Sequence, residues 1–154
     1  MKDKEIEYKY LVDSQKWEAA DKPIPELIVQ GFLTKSIDCT VRVRIKGSKA
    51  YLTIKGKTVG ISRTEFEYEI PVEDAENMIS EFISKSICKK RYEIPFEGRT
   101  WEVDVFEGHL SGLILAELEV DSEEERFNLP EWATENVSED KNYYNAILID
   151  RDKW

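Results

Sequence analysis

Charged and apolar side chains alternate along most of this chain. In KEIEYKYLV, residues 4–12, Glu5, Glu7 and Lys9 fall on one parity while Ile6, Tyr8 and Tyr10 fall on the other. Successive side chains of a strand point to opposite faces, so the stretch predicts a strand with one charged and one apolar face. TVRVRIKG sets Arg42 and Arg44 against Val41, Val43 and Ile45. AYLTIKG sets Lys55, with Tyr51 and Thr53, against Leu52 and Ile54. SRTEFEYEIP sets Arg63, Glu65, Glu67 and Glu69 against Phe66, Tyr68 and Ile70. Lys89, Arg91 and Glu93 share a parity in CKKRYEIPF, as do Glu102 and Asp104 in TWEVDVFEG, and Glu117 and Glu119 in ILAELEVD. LIVQGFLT also reads as a strand, and Gly47-Ser48 as the turn of a hairpin.

Helical spacing is rarer. VEDAENMISEFISKSI, after Pro71, carries Ala75, Met78, Ile79, Phe82 and Ile83 on one stripe, which predicts a helix lying on a sheet. SQKWEAADK begins as a helix that Pro23 and Pro25 end. SEEERFNL predicts a short helix, and SEDKNYYNAILI a longer one capped by Ser138 with acids in its first turn.

Composition narrows the classes. With 154 residues, 41% of them hydrophobic and 35% charged, the chain suits one domain, residues 1–154, with a real core. It has neither an apolar run of membrane length nor a signal-like start, so a cytoplasmic setting with no membrane partner is expected. Cys39 and Cys88 have no metal-ligand spacing and are expected to be reduced. A formal net charge of −10 disfavours nucleic acid as a partner, since phosphate-backbone affinity needs excess Lys and Arg.

The charged faces admit two readings. An antiparallel sheet with one wet face leaves its charges solvated. Yet the charges come as like-signed pairs two residues apart: Glu5/Glu7, Arg42/Arg44, Glu65/Glu67, Lys89/Arg91, Glu102/Asp104 and Glu117/Glu119. At about 7 Å their repulsion is roughly 0.6 kcal/mol in water and about 2.4 kcal/mol at an effective dielectric near 20. The second reading is a sheet that buries its apolar side under helices and closes around its charged side, which also removes exposed edges. Cations from several strands could then hold a polyphosphate, and the clustered carboxylates would need a hard divalent ion between themselves and that anion.

Other motifs carry less. Gly56-Lys57-Thr58 ends like a phosphate loop, but the earlier glycine that loop requires is replaced by Tyr51. His109, the sole histidine, is expected to make a structural hydrogen bond, and Trp17, Trp101, Trp132 and Trp154 to pack.

Glu5-x-Glu7-x-Lys9 resembles the ExExK signature of the CYTH superfamily, the triphosphate tunnel metalloenzymes. VRVRIKG, LTIKG, SRTEFEYEI, KKRY, VDVFEGHLSGLILAELEV and VSEDKNYYN follow in that family's order over almost the whole chain. The chain most resembles the short bacterial members that cleave inorganic triphosphate.

The resemblance implies an α+β fold: an eight-stranded antiparallel closed barrel with a charged lumen and helices outside. It implies that Glu5, Glu7, Glu117 and Glu119 ligate Mg²⁺ or Mn²⁺, with Asp104 contributing directly or through water. It places Lys9, Arg42, Arg44, Lys55, Arg63, Lys89 and Arg91 on phosphate oxygens, with Lys141 reaching the same anion. Glu5 or Glu117 would orient the attacking water, and Glu65, Glu67 and Glu69 would orient the basic side chains or help hold metal.

Phe32, Asn136 and Asn142 depart from the family pattern, where Tyr, Glu and Arg are common. A nucleoside or thiamine triphosphatase, an adenylate cyclase of the same family and a non-catalytic polyphosphate-binding module stay open as alternatives.

Overall fold

The structure, a computed structural model, describes residues 2–154. Nine strands, β1 (Lys2–Val12), β2 (Glu26–Lys35), β3 (Cys39–Lys46), β4 (Lys49–Gly56), β5 (Ser62–Ile70), β6 (Ile87–Phe96), β7 (Arg99–Phe106), β8 (Ile114–Glu119) and β9 (Ala133–Asn136), are joined by three α-helices. The helices are α1 (Ser14–Ala19), α2 (Val72–Phe82) and α3 (Asn145–Leu148).

The strands follow the order β5-β4-β3-β2-β6-β7-β8-β1, and pairing of β1 with β5 closes the ring into an eight-stranded antiparallel barrel. β1 reaches β5 through residues 2–6 and β8 through residues 7–11. The short β9 attaches to the end of β1 outside the ring order.

The alternation decides which way the barrel curls. The apolar parity of β1, β7 and β8 packs outward into a cluster built on Tyr10, Trp101, Val103, Ala116 and Leu118. Helix α1 covers it with Trp17, edge-on to Trp132 at 5.5 Å between ring centres. Such aromatic pairs add to plain area burial.

On the opposite flank α2 lays Ala75, Met78 and Ile79 on Val43, Ala50 and Leu52. Gly31 permits a close approach there, since a Cβ on it would stand 2.5 Å from Cγ2 of Ile83. The β3–β4 hairpin turns at Gly47, whose φ of +59° suits glycine.

One end of the barrel is apolar. Leu115, Ile87 and Phe106, with Leu11, lie on the charged parity of their strands but meet Leu110, Leu113, Val137, Leu148 and Ile149 there. The carboxy-terminal segment thus fills that end.

Four expectations are corrected. Residues 122–129 form no helix, because Phe127 is drawn into the outer cluster against Tyr8 and Trp101, at 5.1 and 5.8 Å between ring centres. Residues 138–149 are not one helix but a 3₁₀ turn over 141–143 followed by α3. Ser138 caps neither: its Oγ accepts the Lys9 backbone N–H at 2.8 Å, and Asp140 caps the turn through the N–H of Asn142. The imidazole Nε2 of His109 is buried without a partner among the described residues, and that residue's hydrogen bond is instead its carbonyl, accepting from Trp154 N–H.

Candidate active site

The inward parity surrounds a cavity of about 660 Å³. Lining it are Glu5, Glu7, Lys9, Arg42, Arg44, Lys55, Arg63, Lys89, Arg91, Glu117, Glu119 and Lys141. Asp104 shares their parity but does not line the cavity. It is fully buried behind them, where Arg91 grips it through Nε at 2.7 Å and Nη2 at 2.9 Å. Lys89 adds a third contact at 2.7 Å. Both its oxygens are therefore occupied by cations, so a metal that Asp104 ligated directly would have to displace one of them, whereas the expected contact through water would not.

Cross-strand register explains who meets whom. Lys9 stands opposite Glu117, Glu7 opposite Glu119, Glu5 opposite Arg63, and Arg91 opposite Asp104. On the basic wall Arg42 and Arg44 reach Glu67 at 3.7 and 3.5 Å. Thr53, wholly buried, accepts from Arg42 Nη2 at 3.3 Å and donates to Glu67 at 2.8 Å. The Nε groups of Arg42 and Arg44 are buried donors with no protein acceptor among the described residues. Burial, then the neighbouring Arg44, brings the Arg42 guanidinium down to about 10. A buried donor left unpaired is costly, and an anion in the cavity relieves that cost.

The carboxylates come together in pairs. Glu7 and Glu117 are hydrogen-bonded to each other. Burial and repulsion from Glu117 push Glu7 well above the carboxylate range. Burial opposes ionisation of Glu117, but the Glu7 hydrogen bond and the charges of Lys9 and Arg91 outweigh it and hold Glu117 well below that range.

Glu5 and Glu65 form the second pair. Burial works against ionised Glu5, yet the Lys55 ammonium, 3.1 Å from both its oxygens, brings it to about 2. Burial and the hydrogen bond to Glu5 lift Glu65 to about 7. Each pair thus sets a carboxyl that burial raises beside one that neighbouring cations hold low, and among the described residues no three carboxylates converge as a ready-made metal cage. Hard carboxylate oxygens side by side are nevertheless a donor set that suits a divalent cation.

Beside Asp104, Lys89 contacts Asn145, and burial depresses its ammonium to about 8 despite Asp104. Lys9 Nζ donates to the Tyr143 carbonyl at 3.0 Å. Residues given no site role from sequence also line the cavity: Lys35, Lys46, Lys57, Glu102, Tyr144 and Asn145. Lys46, Lys57 and Glu102 lay on parities already read, whereas Asn145 carried no such signal. Of the family departures, Phe32 lines the cavity, while Asn136 binds Ser138 and neither Asn136 nor Asn142 lines it.

Comparison with known proteins agrees with this geometry. The CYTH domain matches residues 3–147. An inorganic triphosphatase of Acetivibrio thermocellus is 42% identical, covering 95% of this chain and 93% of its own length. An inorganic triphosphatase of Nitrosomonas europaea is 38% identical, covering 94% and 95%. The crystal structure of an inorganic triphosphatase superposes with a TM-score of 0.70 at 33% identity over 97% of each chain. A putative adenylate cyclase from Bacillus halodurans, 18% identical over 80% of this chain and 83% of its own, shares the fold at a TM-score of 0.63. By sequence match, strand order and inward-facing charge, this chain belongs to the CYTH domain family.

Proposed function

We propose that this protein hydrolyses inorganic triphosphate to diphosphate and orthophosphate inside the barrel, in the presence of Mg²⁺ or Mn²⁺, and that one domain over residues 1–154 carries the whole activity. The observation that carries this is a single cavity walled by Lys9, Arg42, Arg44, Lys55, Arg63, Lys89 and Arg91 together with the carboxylates Glu5, Glu7, Glu117 and Glu119. A site made only to bind anions would have no use for those carboxylates.

Water adds to a terminal phosphorus as the bridging P–O bond breaks. One of its protons stays on orthophosphate and the other leaves with diphosphate. Arg42, Arg44, Lys89 and Arg91 hold the phosphate chain straight and offset charge on the leaving oxygen. Glu7 and Glu117, with Glu5 and Glu119, are the residues that would hold metal. When bound, the ion would supply a hard Lewis acid and lower the pKa of water. Glu5 and Glu117, held low in pKa, orient a water by accepting its hydrogen bond and are too weakly basic to carry its proton away. Asp104 holds Arg91 and Lys89 in place from behind, and Lys141 approaches the anion at the carboxy-terminal side.

A second reading rests on the cavity lip, where Ile37 and Ile147 are 74% and 48% exposed and Ile61 lies beside the same cavity. An apolar lip suits a triphosphate esterified to an organic group, such as a nucleoside or thiamine. Phosphate release from tripolyphosphate, ATP and thiamine triphosphate, each with Mg²⁺, separates the readings. Higher kcat/KM for tripolyphosphate supports the first, higher kcat/KM for an ester supports the second, and no release from any of them overturns both.

Two free cysteines support a reducing setting such as the cytoplasm, and the net charge of −10 a small anion rather than nucleic acid. Among the described residues no helix is long and apolar enough to cross a membrane.

A further inference from the structure

We propose that Asn145, the first residue of α3, is a positioning residue that aims the Lys89 ammonium at the phosphate chain through a neutral acceptor. The inference rests on the triphosphatase reading above. Lys89 is 2% exposed and has three N–H donors. One goes to Asp104 at 2.7 Å and one to Asn145 Oδ1 at 3.1 Å. The ammonium also lies 5.3 Å from the Phe106 ring centre, and its third donor is left for a ligand in the cavity that Lys89 lines.

Chemistry fixes the orientation of the amides. An ammonium only donates, so the Asn145 atom facing Lys89 is its oxygen. That same oxygen lies 2.8 Å from Gln30, so Gln30 presents its NH₂ group. Gln30 is wholly buried, and its own oxygen finds no partner among the described residues. One oxygen thus gathers donors from β2 and β6 onto the start of α3.

Neutrality is what separates Asn145 from the other acceptors around Lys89. Asp104 already divides its charge between Lys89 and Arg91. A second carboxylate against Lys89 would cancel the charge intended for phosphate, whereas an amide oxygen orients the ammonium and leaves its charge intact. The same segment treats Lys9 alike, through the neutral backbone carbonyl of Tyr143 at 3.0 Å.

The test is a double-mutant cycle of Asn145→Ala and Lys89→Ala, read on kcat/KM for tripolyphosphate with Mg²⁺, on tripolyphosphate affinity and on Tm. Asn145→Ala is expected to lower kcat/KM about tenfold, the lower end of what a hydrogen bond to a charged group is worth. In the Lys89→Ala background the same change should cost less than about twofold, because the residue through which it acts is gone. Asn145→Asp, which keeps the shape and adds charge, should raise KM clearly more in the parent than in Lys89→Ala, where only direct repulsion of the anion remains, and it carries the cycle alone where the alanine variant fails to fold. An equal loss in both backgrounds, or no loss in the parent, overturns the inference while leaving the triphosphatase reading intact. A parent protein that neither binds nor cleaves tripolyphosphate overturns both.

Discussion

Arg91 grips both oxygens of Asp104 with two parallel hydrogen bonds, 2.7 and 2.9 Å long, at the floor of the barrel. Burial alone would raise the Asp104 carboxyl, but Arg91 and then Lys89 outweigh it and hold the group below its ordinary range. Removing one partner of a buried pair leaves the other charge uncompensated, which typically costs about 3–5 kcal/mol. Asp104→Asn is expected to lower unfolding free energy by about that amount in urea titration and to depress turnover by freeing Arg91 and Lys89. Wild-type stability in that variant would show that the pair does not hold the floor together.

Metal sites and phosphate clamps fail differently. Glu117→Gln keeps size and removes one charge from the carboxylate pair, so turnover should fall steeply while metal-free tripolyphosphate binding survives or tightens. Arg44→Ala should weaken tripolyphosphate binding with or without metal, by about 1.5–3 kcal/mol. Hydrolysis assays across a metal titration, with calorimetry for affinity, read both effects. If the two variants hydrolyse tripolyphosphate like the parent, the assigned residues are wrong.

Proton linkage makes metal binding visible without catalysis. Burial and the charge of Glu117 raise Glu7 well above the carboxylate range, so a cation bound there competes with a proton. Mg²⁺ or Mn²⁺ binding at pH 6–7 should therefore release protons, seen as a calorimetric enthalpy that changes with the ionisation enthalpy of the buffer. The release should shrink in Glu7→Gln to the part that Glu65, raised to about 7 beside Glu5, contributes. Turnover should disappear in excess chelator and be poorly restored by Ca²⁺, whose longer and more numerous bonds suit a different geometry.

Metal-free stability should depend on pH through Glu65. Its folded pKa, about 7, lies above the ordinary 4.5, so the folded state binds the extra proton between those values. That contribution is fully present below about 4.5 and is lost as pH rises through about 7. Thermal unfolding without divalent ions should show Tm falling between pH 5.5 and pH 8, and Glu65→Gln should flatten the slope. A slope that is unchanged in that variant would assign the dependence to another group.

Side-chain parity made the barrel wall legible from sequence, because inward and outward faces are a local property of each strand. Glu5, Glu7, Lys9, Arg42, Arg44, Lys55, Lys89, Arg91, Glu117 and Glu119 all line the cavity that their parity indicated. Parity does not measure depth, so Asp104 read like Glu117 although Arg91 and Lys89 cover it. Nor does it report contacts made by chain return. Gln30 and Asn145 meet across 115 residues, and nothing local to either foretells it. The helix expected over 138–149 failed for a related reason: Ser138 and the Tyr143 carbonyl are both taken by Lys9, a residue more than a hundred positions earlier.

The two-sided pairing of β1 has a consequence for how the protein is made. Glu7 lies opposite Glu119, so the carboxylates facing one another across that seam are separated by most of the chain. On a ribosome the first of them emerges long before the second, and contacts this distant in sequence form late because loop closure must come first. Until β8 arrives, β1 has only β5 to pair with, and the acidic wall exists only in halves. The nascent chain thus carries no assembled carboxylate pair at Glu7 and Glu117 to capture divalent ions before the cations of the opposite wall are in place.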